Sequence, residues 1–527
     1  FAQNWVYSRG EPGSAINAQL GVGAPGGDGY YVSDRRFFTA TSMEVEQKAW
    51  FLEDRWNITD NLLLSLGIRN DKFTNTNSYG EVYLDAEDQW APRIGASWDV
   101  FGDSTFKVFA NAGRYALPLT GNVAVRGASA SLFSEEFYTY TGVDGTTGAP
   151  TGLTPILNPN NGRPIRYLNN EFGVGKDPST IASQNLEPMY QDEYILGFQK
   201  QLTDNFSMGV RGIYRDLKRA IDDQCDYRPI IEWALANGFT PDGGIFITPE
   251  DKTQDSDIAV YNAGFPFCRL YNPGEDGVFQ MDVNGDGVME IIPIAADVLG
   301  PEAKRKYTAL EIFWQGDWDK FFIQGSYTYA RSIGNTEGGV KSDMGQDDTG
   351  TTQDFDYPEL AIGSYGYLPN DRRHSLKLFG NYELTDEWSV GANLLVQSGR
   401  PINCFGFLGG SNTSHYANSY FSCDPGPADI PVDVDGAGNN GTTVVPRGTS
   451  GRLPWTTTLD LNVAYAPGWM EGLQFKVDVF NVLNSRDEVT VNEFGEDAAG
   501  NPQPILYKMD TGWQQPRSVR FMVQYDF

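Results

Sequence analysis

The sequence predicts an all-β protein: a transmembrane antiparallel β-barrel whose strands are joined alternately by very short turns and long outer loops. Three observations carry this reading. Segments of roughly ten residues alternate apolar and polar side chains with a period of two. One example sets Trp388, Val390, Ala392, Leu394 and Val396 against Ser389, Asn393 and Gln397. Short polar turns near 59–61, 102–104, 203–205, 317–319, 385–387 and 467–469 alternate with long polar insertions near 116–187, 219–302, 333–370, 399–452 and 485–514. Soluble domains seldom carry so many long connections, whereas membrane barrels place short turns at one end and long loops at the other. Aromatic residues gather beside the short turns (Trp56, Trp98, Phe101, Phe321, Trp388, Tyr465, Trp469 and Tyr525), where an interfacial girdle would sit.

Composition alone does not separate a barrel from a soluble fold. Of 527 residues, 40% are hydrophobic and 13% aromatic, and the mean hydropathy is −0.40. No stretch approaches the roughly 18 apolar residues of a membrane helix. Barrels reach the same averages because lipid-facing and lumen-facing residues alternate. The periodicity decides.

Taken in order, the alternating runs predict about thirteen strands: 46–57, 62–73, 88–101, 105–115, 188–201, 206–218, 303–316, 320–332, 371–384, 388–398, 453–466, 471–484 and 515–527. Three of the short turns share a pattern: Ile58-Thr59-Asp60-Asn61-Leu62, Leu202-Thr203-Asp204-Asn205-Phe206 and Leu384-Thr385-Asp386-Glu387-Trp388. If the short turns are periplasmic, the last strand descends and ends at Phe527 on the periplasmic rim. The first strand also descends, so residues 1–45 are expected in an extracellular loop. Complete bacterial barrels have an even strand count. The expectation is therefore a C-terminal part of a 22-stranded plugged barrel, with about nine strands upstream. Phe1 opens abruptly in polar sequence without a signal peptide, which fits either processing or a fragment; the odd count favours the fragment.

The net charge of −30 argues against nucleic acid, whose phosphates need concentrated Lys and Arg, and suits a surface that collects divalent cations. The four cysteines fall as two pairs in loop sequence. Of the three connectivities open to them, the most local joins Cys225 to Cys268 and Cys404 to Cys423, each stapling one long loop in an oxidising compartment. Four free thiols are the alternative.

One stretch has metal-ligand spacing. Asp282-Val283-Asn284-Gly285-Asp286-Gly287-Val288-Met289-Glu290 matches the DxNxDG opening of a calcium loop. Hard cations need several oxygens: Asp282, Asn284 and Asp286 would converge, the Val288 carbonyl would add one, and Glu290 would bind directly or through water. Pro293 occupies the twelfth position, where such loops carry Glu. The competing reading is a solvated acidic turn. The acidic run from Ser342 to Glu359 (Asp343, Asp347, Asp348, Asp354, Asp356) reads as a solvated face, with a cation or substrate contact as its alternative. Catalysis has little support. The two histidines are His374 and His415, and Ser375 lies on the opposite strand face from His374. Arg211, Arg215, Lys377 and Lys476 fall on the predicted lumenal face.

Several blocks resemble a known family. Phe480-Asn481-Val482-Leu483-Asn484 is similar to the penultimate-strand signature of TonB-dependent outer-membrane receptors. Arg517-Ser518-Val519-Arg520-Phe521-Met522-Val523-Gln524-Tyr525-Asp526-Phe527 resembles their closing strand, and with it the signal read by the outer-membrane assembly machinery. More specific are Asn185 to Tyr194, Ser342 to Asp348, Leu368 to His374 and Ser398 to Pro401, which resemble the Oar-like receptors. The resemblance implies a plug domain, a TonB box and an N-terminal carboxypeptidase-regulatory-like domain, none within these residues. It also implies energised import of a ligand bound at the cell surface, coupling to the TonB system, a seat among outer-membrane lipid and lipopolysaccharide, and no enzymatic activity. A non-transporting surface barrel (an adhesin, or a signalling or secretion barrel) and a diffusion porin are the other readings.

Overall fold

The structure is a computed structural model and describes residues 2–9, 30–39, 42–119, 121, 127–156, 165–239, 266, 268–284, 286–346, 349–408, 418–423, 443–497, 500 and 502–527. Thirteen wall strands follow one another as an antiparallel meander: β1 (Val45–Thr59), β2 (Leu62–Thr76), β3 (Val82–Asp99), β4 (Phe106–Leu117), β5 (Met189–Thr203), β6 (Phe206–Arg219), β7 (Arg305–Trp318), β8 (Phe321–Gly334), β9 (His374–Glu383), β10 (Trp388–Gln397), β11 (Thr456–Tyr465), β12 (Leu473–Phe480) and β13 (Ser518–Tyr525). A short strand, Gly366–Tyr367, adds a fourteenth member beside β8. Each wall strand pairs with its neighbour in sequence. Among the described residues β1 and β13 are the two edges and do not pair with each other.

Register turns the period-two pattern into two chemically distinct faces. Trp388, Tyr465, Phe475 and Val523 lie directly across from one another on four successive strands. Three positions along each strand, and so on the opposite face, Asn462, Asp478 and Arg520 form a polar row, in which the Asn462 amide and the Arg520 guanidinium both donate to Asp478. Among the described residues nothing covers the apolar face at its β13 edge: Phe521 is 78% exposed and Val523 64%. An apolar surface this extensive, backed by a polar face, has the pattern of a membrane-spanning wall. At its short-turn end the rings form a belt, with Trp318 against Phe206 and Phe321, Phe321 against Tyr382, and Tyr465 between Trp388 and Phe475, at centroid separations of 4.5–6.3 Å.

The recurring turn pattern has a structural role. Its fourth residue reaches the neighbouring turn: Asn61 Nδ2 donates to the Asp99 carbonyl at 2.9 Å, Asn205 Nδ2 to the Asp317 carbonyl at 2.7 Å, and Glu387 Oε1 accepts from the Gly468 amide at 2.7 Å. Backbone groups that a turn leaves unpaired are thereby satisfied.

At the opposite end the described parts of the long connections carry structure of their own. The β2–β3 connection is tight, because both strands extend beyond their sequence-predicted limits to a turn held by Asn77. Residues 1–45, expected as a loop, contain strands Ala2–Arg9 and Tyr30–Phe38, which join Leu132–Thr139 of the β4–β5 connection in a five-stranded sheet. In the β6–β7 connection, helix Arg228–Ala236 packs on the hairpin Gly277–Met281/Glu290–Ile294. The inward side chains Phe279, Met281, Ile292 and Ile294 build a small core with Tyr227, Ile230 and Tyr271.

Candidate functional site

Three outer connections meet over one buried charged centre. Arg447, from the β10–β11 connection, has no solvent exposure; its Nη2 lies 3.0 Å from Asp343 and 3.7 Å from Asp354, both in the β8–β9 connection. Lys341 pairs with Asp354. Asn403 Nδ2 donates to Asp343 at 3.1 Å, while the Asn403 amide donates to Glu493 Oε2 at 2.6 Å. Glu493, from the β12–β13 connection, also meets Arg400 at 2.5 Å. The backbone is drawn close here: a Cβ on Gly366 would lie 2.0 Å from the Arg447 carbonyl oxygen, and Gly448 takes φ +71°. Nearby, Asp371 anchors Arg452 and accepts from the Ser332 amide at 2.7 Å.

Burial sets the electrostatics. It pushes the Asp343 carboxyl up, but Arg447 and Lys341 outweigh it and hold the group below the usual carboxylate range. Burial pushes Glu493 up to about 7, against the pull of Arg400 and with Asp343 adding to the rise.

A second buried centre lies where the β6–β7 and β8–β9 connections touch. Asp222 accepts from the Thr352 amide and hydroxyl, both at 2.7 Å. The Cys225 amide donates to the Asp356 carbonyl at 3.0 Å, and Arg228 bridges Asp226 and Glu359. Burial drives Asp222 and Asp223 well above the ordinary carboxylate range, with neighbouring aspartates adding to it. The acidic run expected as a solvated face is therefore internal at Asp343, Asp354 and Asp356. The correction has a physical cause: Asp343 and Asp354 are matched by Lys341, the residue just before the run, and by Arg447, 104 residues from Asp343, which local composition does not reveal. Asp347 and Asp348 lie outside the described residues.

Disulfides join Cys225 to Cys268 and Cys404 to Cys423. The calcium-like stretch forms the tip of the Gly277–Met281/Glu290–Ile294 hairpin. There Asp282 accepts from the Gly287 amide at 2.8 Å, Asn284 from the Asp286 amide at 3.0 Å, Asp286 from the Val288 amide at 2.8 Å, and Glu290 from the Val283 amide at 2.9 Å. The turn thus closes on its own amides; Gly285 lies outside the described residues. His374 Nδ1 is 2.7 Å from the Tyr327 hydroxyl and the ring stacks on Trp455, a girdle position at the loop end of the wall. His415 lies outside the described residues. Arg211 and Arg215 find partners within the wall, Glu311 and Glu193, and Lys476 donates to Gln524 at 3.3 Å. A cavity of about 620 Å³ opens beside Arg211, Glu311, Phe313 and Lys377.

Sequence reading missed Arg447 and Glu493, which stand in unremarkable polar stretches. Two of their partners stand in the blocks that carry the resemblance: Asp343 of Arg447 in Ser342 to Asp348, and Arg400 of Glu493 in Ser398 to Pro401. The blocks that carry the family resemblance thus supply one side of the Arg447–Asp343 and Arg400–Glu493 pairs.

Comparison with known proteins agrees. Residues 3–484 match the family model described as TonB dependent receptor-like, beta-barrel. The chain is 24% identical over 535 residues to the TonB-dependent transporter Oar of Myxococcus xanthus, an alignment covering 90% of this chain and 42% of that protein; the chain thus spans less than half of that relative's length. Among solved structures, the outer membrane transporter YddB from Escherichia coli is 12% identical with a TM-score of 0.49, covering 94% of this chain and 50% of that one. The ferripyoverdine receptor of the outer membrane of Pseudomonas aeruginosa is 12% identical with a TM-score of 0.43, covering 94% and 39%. With the alternating wall, the aromatic belt and a family match over most of its length, the chain belongs to the β-barrel family of TonB-dependent receptors of the bacterial outer membrane, a family of receptors and not of enzymes.

Proposed function

We propose that this chain forms the C-terminal wall and the outer mouth of a receptor that binds a ligand at the cell surface for energised import through the TonB system. A plug, a TonB box and a carboxypeptidase-regulatory-like domain would lie upstream, and outer-membrane lipid and lipopolysaccharide would surround the apolar face. The observation that carries the reading is the buried Arg447–Asp343–Asn403–Glu493 centre. It fixes three outer connections relative to one another, and a preorganised mouth is what ligand capture requires. The test is calorimetric titration of the full-length receptor with the periplasmic domain of TonB. Saturable binding supports import; no binding leaves the surface-barrel reading, adhesin, signalling or secretion, in its place.

A calcium ion on Asp282, Asn284, Asp286, the Val288 carbonyl and Glu290 belongs to the same proposal, as a clip on an exposed hairpin tip. Its support is the spacing of hard oxygen donors in the sequence. Calcium titration of the full-length receptor against an Asp282→Ala/Asp286→Ala variant tests it. Equal heats from both proteins would remove calcium from the tip.

A further inference from the structure

The pairing of Asp222–Gln224 with Arg269–Tyr271 brings Cys225 beside Cys268. Two carboxylates arrive at the same place. Asp223 comes from the same strand as Cys225's approach, and Asp356 from the β8–β9 connection, held there by the hydrogen bond from the Cys225 amide to its carbonyl at 3.0 Å. One donor atom from each of Asp223, Cys225, Cys268 and Asp356 lies within 4.8 Å of the others. Asp223 and Asp356 meet side chain to side chain, while Asp222 is held by Thr352 and Asp354 by Lys341. Cys225 is 1% exposed and Asp356 5%.

We infer that Cys225, Cys268, Asp223 and Asp356 form a second, metal-holding closure of this loop: when the two cysteines are a dithiol, the four side chains bind a thiophilic divalent cation of the zinc class. Zinc takes four sulfur, nitrogen or oxygen donors in a tetrahedron, at about 2.3 Å to sulfur and about 2.0–2.2 Å to oxygen. Donors already within 4.8 Å of each other need only small side-chain rotations to reach such distances. Two thiolates select against calcium and magnesium, which take oxygen ligands in larger number. The centre is therefore chemically distinct from the hairpin tip at Asp282–Glu290. Disulfide and metal exclude one another, because the same two sulfurs serve both.

The redox step balances with a dithiol donor. The Cys225–Cys268 bond breaks, two electrons and two protons pass to the two sulfurs, and the donor becomes its own disulfide. A newly exported chain that has not been oxidised starts in the same dithiol state. On binding, the cation displaces the two thiol protons and any proton shared between Asp223 and Asp356. The loop is then tied by coordination where it was tied by a covalent bond, so metal binding is coupled to loop order.

The test uses the full-length receptor in detergent, carrying Cys404→Ser/Cys423→Ser so that only one thiol pair remains. It is reduced with a water-soluble phosphine, which takes oxygen from water to become its oxide and does not compete for the ion. Cobalt(II) is the probe. The expected result is one equivalent bound per chain, with thiolate-to-cobalt charge transfer and tetrahedral visible bands in the reduced protein and none in the oxidised one. Asp223→Asn and Asp356→Asn should each weaken binding by more than the roughly 10–100-fold that losing an outer partner of a ligand costs. Limited proteolysis of the 219–302 connection supplies a readout that survives loosening of the reduced loop: cleavage should be fast without metal and slow with zinc. Absence of charge transfer, no protection by zinc, or affinity unchanged by both Asp→Asn variants would each overturn the inference.

Discussion

In the wall, Arg211 meets Glu311 at 2.5 Å with its side chain 40% exposed; in the outer loops, Arg447 meets Asp343 at 3.0 Å with both side chains at 0%. The chemistry is the same and the energetics are not. An exposed pair exchanges hydration for a modest attraction and nets about 0–1 kcal/mol. A buried pair has already lost its hydration, so its stability lies in remaining complete. The wall takes its cohesion from the backbone ladders that join each strand to the next. The loops, with small cores of their own, are joined to one another by charges that water cannot reach.

Arg447→Ala should therefore have the largest effect. It leaves Asp343 buried without its guanidinium partner, and Asp354 with Lys341 alone, at an expected cost of about 3–5 kcal/mol. The loss should be confined to the outer connections. Surface protease should cut the 335–373 and 398–455 connections in the variant, while the wall keeps its heat-resistant mobility on a denaturing gel. Unfolding of wall and loops together would refute the distinction.

Next comes the Cys225–Cys268 bond, which closes a separation of 43 residues. Cys225→Ser/Cys268→Ser should destabilise the β6–β7 connection by about 2–4 kcal/mol, read as faster hydrogen exchange at helix Arg228–Ala236, with exchange in β9 to β12 unchanged.

Glu493 gives a pH dependence with a definite sign. Burial lifts its folded pKa to about 7, from an ordinary value of 4.5. The folded loops thus hold a proton that the unfolded chain gives up sooner. The contribution is fully present below pH 4.5 and is lost as pH rises to about 7. At most roughly 3 kcal/mol is involved, since each tenfold change in proton affinity is worth about 1.4 kcal/mol. Loop stability by hydrogen exchange should fall between pH 5 and pH 7, and Glu493→Gln should flatten that slope. Asp343, held low by Arg447 and Lys341 against its burial, titrates below this window. A slope unchanged in Glu493→Gln would assign the titration to another group.

The same contrast explains what the sequence could disclose. The wall was legible strand by strand, because its determinants are local: alternation, a short turn, a ring at the turn. The run 453–466 became Thr456–Tyr465, and 471–484 became Leu473–Phe480. The loops were not legible, because their determinants are distant. Arg35 meets Glu135 across 100 residues, and Arg447 meets Asp343 across 104. No window on either side of such a pair contains its partner, so the strands at Ala2–Arg9 and Tyr30–Phe38 passed for loop and Asp343 for a solvated acid. The two cysteine pairs were the exception, since their nearest-neighbour pairing is also the one formed.

The smallest expected effect tests the comparison most sharply. Arg211→Ala removes one partner of a lumenal pair that is 40% exposed on the arginine side and 13% on the glutamate side. For this 527-residue chain, water on the polar face of the open wall rehydrates Glu311, and the stability read from the urea midpoint should change by less than about 1 kcal/mol. In the full-length receptor a plug seated against the same face would displace that water and turn the pair into a buried one. The cost of the same substitution should then rise towards the loss expected for Arg447→Ala. Measuring Arg211→Ala in both lengths of chain thus separates wall from loop by solvation alone. Equal small losses in the two would mean that no plug covers Arg211, and would count against the import reading at the same time.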